Sequence, residues 1–141
     1  MFRTIRGLSV ALLAGTMIAA SATPASSAPE PATQRVTLTA TGDQGDGDSY
    51  GPHLSPDGRH LAYEAQPRRP DGPDNVYLRD LRTGATRLIS TSVTGGPVTD
   101  EHVTLYEVSA GAGRIALGSR SAQLVPDDTN NRYDGFVHRR R

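Results

Sequence analysis

The chain reads as an all-β fold of about two four-stranded antiparallel units, and three observations carry that expectation. The stretch Leu54-Ser55-Pro56-Asp57-Gly58-Arg59-His60-Leu61-Ala62-Tyr63 returns in altered form as Val108-Ser109-Ala110-Gly111-Ala112-Gly113-Arg114-Ile115-Ala116-Leu117, at a spacing of 54. Its flanks return too. Arg35-Val36-Thr37-Leu38-Thr39 echoes in Arg87-Leu88-Ile89-Ser90-Thr91 at 52, and Asp74–Arg79 echoes in Asp134–Arg139 at 60. Third, no segment beyond the N-terminal stretch has helical periodicity. Apolar or alternating runs of about four to seven residues are instead separated by Gly, Pro, Asp and Asn clusters. Self-similarity at about 50 residues, built from short strands and turns, marks a propeller-type β repeat with one blade per period.

The first residues stand outside that fold. Arg3 and Arg6 give a positive start, Leu8 to Ala20 carries no charge, and Ala20-Ser21-Ala22 has the small-x-small spacing that signal peptidase reads. Residues 1–22 are therefore expected to be a signal peptide, with Ala28 the latest alternative cleavage site, and the protein to be secreted or otherwise extracytoplasmic. Residues 23–33, rich in Pro, Ala, Ser and Thr, read as a flexible linker. Residues 34–141 remain, enough for one small domain.

Within that domain each strand has a local reason. Arg35–Ala40 alternates and reads as an outer strand, followed by a Gly/Asp loop over 41–51. Pro52–Ser55 and His60–Ala65 flank the Ser55-Pro56-Asp57-Gly58 turn, where Pro56 presets φ, Asp57 can bond back to the backbone and Gly58 suits the left-handed position. Residues 66–74, with three Pro and two Arg, form a loop. Asn75–Asp80 and Ala85–Thr91 are the next two strands, joined by the hairpin Leu81-Arg82-Thr83-Gly84. Residues 52–91 then make a full blade. Val103–Ser109, Gly113–Ser119 and Gly135–Arg139 make an incomplete one over 103–139.

Two blades are fewer than the four or more of an ordinary propeller ring, and they leave apolar faces and sheet edges uncovered. The chain is expected either to be a piece truncated from a larger propeller, the leading reading, or to be a protomer that completes a ring as a homo-oligomer.

The Ser55–Tyr63 stretch resembles the TolB-like, WD-repeat-like β-propeller repeats, whose hallmark is a Ser-Pro-Asp-Gly turn before an Ile/Leu-Ala-Phe/Tyr strand. Gln123-Leu124-Val125-Pro126-Asp127-Asp128-Thr129-Asn130-Asn131, with Asp134-Gly135-Phe136-Val137, is similar to a loop-plus-strand pattern of the secreted bacterial subtype, Asn-Leu-Val-Pro-Gly-Asp-Thr-Asn-Gly and then Asp-Val-Phe-Val. The resemblance covers about residues 34–141. It departs at Ala110-Gly111-Ala112-Gly113, which replaces Pro-Asp-Gly, at Asp127, which replaces Gly, and at Pro67–Pro73, which replaces the Leu-Val-Pro loop. It implies architecture and is nearly silent on function, because such propellers serve as binding platforms, peptidase gates and interaction modules.

Composition narrows the function classes. Basic and acidic residues balance at 15 each, and every basic residue is Arg. Removing Arg3 and Arg6 leaves a weakly acidic remainder, which argues against nucleic acid as a partner. The absence of Cys means an exported fold held without disulfides. Once the signal peptide is cleaved, no apolar run is long enough to span a membrane. The Arg139-Arg140-Arg141 cluster reads as a solvated tail.

No Gly-x-Ser-x-Gly elbow, Cys nucleophile or phosphate loop with Lys is present, so no catalytic residue is assigned and a non-enzymatic protein is expected. His53, His60, His102 and His138 are scattered, and Glu64 and Glu107 are isolated. Tyr50, Tyr63, Tyr77 and Tyr106 read as packing between blades. The acidic loop Gly42–Asp48 is a weaker cation candidate than Asp128, Asn130 and Asp134, whose oxygens at i, i+2 and i+6 suit calcium. The same three residues also suit an Asx-turn network that satisfies the loop backbone, in which case no cofactor is involved.

The expected function is that of an exported non-enzymatic propeller fragment binding a protein or carbohydrate ligand. The alternatives are a self-assembling lectin-like two-blade protomer and the detached propeller part of an exported peptidase.

Overall fold

A computed structural model describes residues 32–66 and 72–141. The expected signal peptide, most of the linker and residues 67–71 of the Pro/Arg loop lie outside the described residues. Among those described, no helix is long and apolar enough to cross a membrane.

The fold is all-β, with two antiparallel meanders. The first sheet runs β1 (Ser49–Leu54), β2 (His60–Ala65), β3 (Asn75–Asp80), β4 (Thr86–Leu88), and the second β5 (Val103–Val108), β6 (Arg114–Ser119), β7 (Asp134–Arg139). Tight turns produce this order. At Ser55–Gly58 the Gly58 N–H donates to the Ser55 carbonyl at 2.8 Å and the Ser55 N–H to the His60 carbonyl at 2.8 Å. Gly58 sits at φ 68°, which a Cβ disfavours. The β3–β4 hairpin closes through the Asp80 N–H to the Ala85 carbonyl at 2.9 Å.

The repeat is visible in register. Tyr50↔Glu64, His53↔Ala62 and Leu54↔Leu61 are matched 54 residues later by Thr104↔Gly118, Glu107↔Ala116 and Val108↔Ile115, with a bulge in the same part of both first strands. The turn bonds repeat as well. The His60 N–H donates to Ser55 Oγ at 2.9 Å, and the Arg114 N–H donates to Ser109 Oγ at 2.9 Å.

The altered second turn has two consecutive left-handed residues, Gly111 at φ 64° and Ala112 at φ 51°. Ala112 is fully buried in the core. Its methyl burial, about 0.8 kcal/mol, offsets much of a left-handed penalty of about 1–2 kcal/mol.

Four sequence expectations are corrected. Arg35–Ala40 is not a strand and makes only the isolated bridge Leu38↔Gln44. The segment turns on itself, with the Thr39 N–H on the Asp43 carbonyl at 2.9 Å, and lies over the face of the first sheet instead of pairing at its edge. The Arg35–Thr39 echo in Arg87–Thr91 is thus one of sequence alone. The first strand starts at Ser49, not Pro52, because the bulge between Tyr50 and His53 accommodates Gly51 and the N–H-less Pro52. β4 ends at Leu88, not Thr91: the Val76 N–H turns to Ser90 Oγ at 3.0 Å and interrupts the ladder. The third-strand echo at 60 is off by one. Ala65↔Asn75 and Ser119↔Asp134 are equivalent pairs, so Asn75, not Asp74, corresponds to Asp134.

The core lies between the sheets. Ala62, Val76 and Leu78 share one face of the first sheet and cluster with Val103, Leu105, Ile115 and Leu117 of the second, with Phe136 packed alongside. Leu117 corresponds to Tyr63, not to Ala62. One face of the first sheet therefore meets the other face of the second, a head-to-tail arrangement.

Candidate functional site

Three regions come out of this arrangement: the seam between the sheets, the two outer faces, and the loop before β7.

Polar groups fix the seam. Asn75, 3% exposed, uses its whole hydrogen-bonding capacity. Its Oδ1 accepts from Ser90 Oγ at 2.7 Å and from the Val98 N–H at 3.0 Å. Its Nδ2 donates to the carbonyls of Val98 at 3.0 Å and Pro73 at 3.3 Å. Glu64, which looked isolated, accepts the Leu105 N–H at 2.7 Å across the sheets, beside the β5 bulge. Asp74 ties down the start of β5, with its carbonyl 3.0 Å from the Val103 N–H and its carboxylate 2.9 Å from His102 Nδ1. None of these was legible as a set, because the partners lie far apart in sequence.

The outer face of the first sheet carries Tyr63 and Tyr77, stacked at 6.0 Å between centroids and 23° between planes. Segment 36–47 covers this face and leaves a cavity of about 440 Å³ lined by both tyrosines, Leu38, Thr86 and Leu88. Key polar atoms there are already engaged. The Leu38 carbonyl accepts from the Tyr63 hydroxyl at 3.1 Å and from Thr86 Oγ1 at 3.0 Å, while Arg79 donates to Thr86 Oγ1 at 2.9 Å. Burial raises the pKa of both tyrosines. The cavity is a packing gap beneath a cover.

The outer face of the second sheet has no such cover among the described residues. Tyr106, Tyr133 and Val137 are 53%, 49% and 58% exposed. The Tyr106 and Tyr133 hydroxyls pair at 3.0 Å above Gly118, where a Cβ would come within 2.6 Å of the Tyr106 ring. None of the tyrosines expected between blades lies in the core between the two sheets: Tyr63 and Tyr77 pack on the outer face of the first sheet, and Tyr50 and Tyr106 are exposed.

The loop before β7 brings Asn130 and Asp134 together and lines a shallow cavity of about 280 Å³ with them and Asp128. Asn130 Nδ2 donates to Asp134 Oδ2 at 3.0 Å, and Asn130 Oδ1 accepts the Arg132 N–H at 2.7 Å. That is Asx-turn bonding within the loop. The two places where the propeller pattern has Gly are Asp127 at φ 63° and Asn131 at φ 51°, residue types that tolerate the left-handed region. Within the Gly42–Asp48 loop, the Asp43 carboxylate accepts from Thr41 Oγ1 at 2.8 Å and the Asp48 carboxylate from the Tyr50 hydroxyl at 3.0 Å. Among the described residues, no three His, Cys, Asp or Glu side chains converge as metal ligands.

Comparison with family models, with curated proteins and with solved structures gives no match.

Proposed function

We propose that the chain is an exported, non-enzymatic propeller-type repeat unit of the TolB-like kind that works as a binding module through the outer face of its second sheet. The head-to-tail packing carries this reading. The first sheet buries Ala62, Val76 and Leu78 against its neighbour, and the equivalent face of the second sheet presents Ala116, Val137 and the Tyr106–Tyr133 pair to solvent. A surface of the type that already makes one interface in the molecule is thus repeated without a partner among the described residues. Exposed aromatic and aliphatic side chains grouped together mark an interaction site.

The same complementarity favours a second reading, in which copies of the chain join face to opposite face until a ring closes. Light scattering on the wild type and on Val137→Asp tests both. A discrete oligomer lost in Val137→Asp supports assembly, with a trimer matching a six-bladed ring. A wild type that stays monomeric at every accessible concentration removes the ring. Solubility unchanged by Val137→Asp, with no partner retained by the wild type that the variant loses, removes the face as a binding surface.

A further inference from the structure

We propose that a pocket at the end of the first sheet, where residues after β7 cross it, binds a small tetrahedral oxyanion of the phosphate type. The pocket has a volume of about 280 Å³, and Arg59, His60, Asp80, Arg87, Arg140 and Arg141 line it. Its side chains carry four guanidinium groups against one carboxylate, a net positive set. The carboxylate is fully engaged: Asp80 Oδ2 accepts from Arg59 Nε at 3.2 Å and Nη2 at 2.8 Å, and Oδ1 accepts the N–H groups of Arg82 at 2.9 Å and Thr83 at 3.1 Å. Arg140 places one donor on the Gly111 carbonyl at 2.8 Å. The side chains of Arg87 and Arg141 are exposed and make no hydrogen bond or ion pair among the described residues.

The second, independent observation is His60. Its residue is 1% exposed, and neither ring nitrogen has a hydrogen-bond partner. The nearest acidic oxygen, Asp80 Oδ2, lies 3.8 Å from Nε2, beyond bonding distance. A buried polar group without a partner calls for a physical reason. Guanidinium forks match the geometry of phosphate oxygens, and a tetrahedral anion drawn in by the arginines would give the imidazole an acceptor once the ring turns toward the pocket it lines. Burial first, and then the Arg140 charge, hold the His60 pKa below its usual value; Asp80 opposes them, Arg59 adds a smaller lowering and Asp57 a still smaller rise. An anion in the pocket offsets the arginine field and moves that pKa up. The inference is independent of the propeller reading.

The test follows the imidazole NMR signals of His53, His60, His102 and His138 in the full chain while inorganic phosphate is added, with sodium chloride at matched ionic strength as reference. A saturable shift confined to His60, with its titration midpoint moving up, is the expected result. The double variant Arg87→Gln/Arg141→Gln changes two exposed side chains and should melt as the wild type without phosphate, while weakening binding by about tenfold or more. Phenyl phosphate binding as tightly as inorganic phosphate points to a phosphate carried on a larger molecule, and much weaker binding points to the free ion; both support the site. Equal effects of phosphate and chloride on His60, or unaltered phosphate binding by the double variant, overturn it.

Discussion

Replacing Asn75 by Ala should destabilise the fold more than most single substitutions in this chain. Its side chain is the partner of both polar groups of the Val98 peptide positions, the N–H and the carbonyl at 3.0 Å each, and of Ser90 Oγ at 2.7 Å. Val98 is 1% exposed, so water cannot replace the lost amide without opening the seam. A buried donor or acceptor left unsatisfied costs about 1–3 kcal/mol, and two of them cost about 2–6 kcal/mol. Domains of this size are stable by about 5–15 kcal/mol in total. With a urea dependence of about 1–3 kcal/mol per molar, the midpoint should fall by about 1–3 M at constant slope. Equilibrium unfolding in urea, followed by circular dichroism on wild type, Asn75→Ala and Ser90→Ala, measures this. Ser90→Ala should cost less, about 1–2 kcal/mol, because only the Val76 N–H and one acceptor are left short. An Asn75→Ala midpoint within about 0.5 M of wild type refutes the reasoning, since it means that the seam relaxes or hydrates freely.

Gly58→Ala should cost about 1–2 kcal/mol through backbone strain alone, because φ is 68° and an added Cβ meets nothing within 4 Å; a loss below about 0.5 kcal/mol in the same urea experiment rejects the turn geometry. The hydrogen bond from Arg59 holds the Asp80 carboxyl below the usual carboxylate range, so the stability it contributes is present above about pH 4 and is lost as the pH falls through the lower folded value. Asp80→Asn should therefore flatten the acid side of a stability–pH curve, and an unchanged acid limb contradicts the pairing. Burial lowers the pKa of both His60 and His138, so the unfolded chain takes up protons first; stability should fall as the pH drops from about 7 to 5, and a curve that rises over that range is inconsistent with two buried imidazoles. Calcium and a chelator should give superimposable melting curves because Asn130 Oδ1 already accepts the Arg132 N–H, whereas calcium at a hundredfold excess over Kd would contribute about 2.7 kcal/mol and a clear upward shift.

What the sequence made legible was local. The Ser55–Gly58 turn, the β3–β4 hairpin and the strands around them depend on residues a few positions apart, and Pro56, Asp57, Gly58 and Gly84 state their geometry directly. Register across a long loop was not legible. The third strand itself lies where expected, at Asn75–Asp80, but matching Asp74 to Asp134 by identity set the two repeats one residue out of correspondence, and such a slip turns every side chain to the opposite face. The alternation in Arg35–Ala40 was real, but its apolar residues are satisfied by lying on a sheet rather than by joining one. Candidate sites fared similarly. Asn130 and Asp134 are close in sequence and do meet, whereas His60 and Arg140, or Asn75 and Val98, are brought together only by tertiary packing. The tail cluster read as solvated includes Arg140, which bonds to the Gly111 and Gly113 carbonyls.

The head-to-tail packing of the two sheets also sets different tolerances for equivalent positions. Ala62 and Ala116 occupy the same place in the repeat, yet Ala62 is sealed beneath a neighbour and Ala116 is only partly covered. A larger side chain at Ala62 must overpack the core, at about 1–3 kcal/mol, while the same change at Ala116 can extend toward solvent. The reverse asymmetry holds one turn earlier, where Gly58 faces open space and Ala112 is enclosed. Two copies of one motif in this molecule are therefore under unequal physical constraint, and each can drift in sequence where the other cannot.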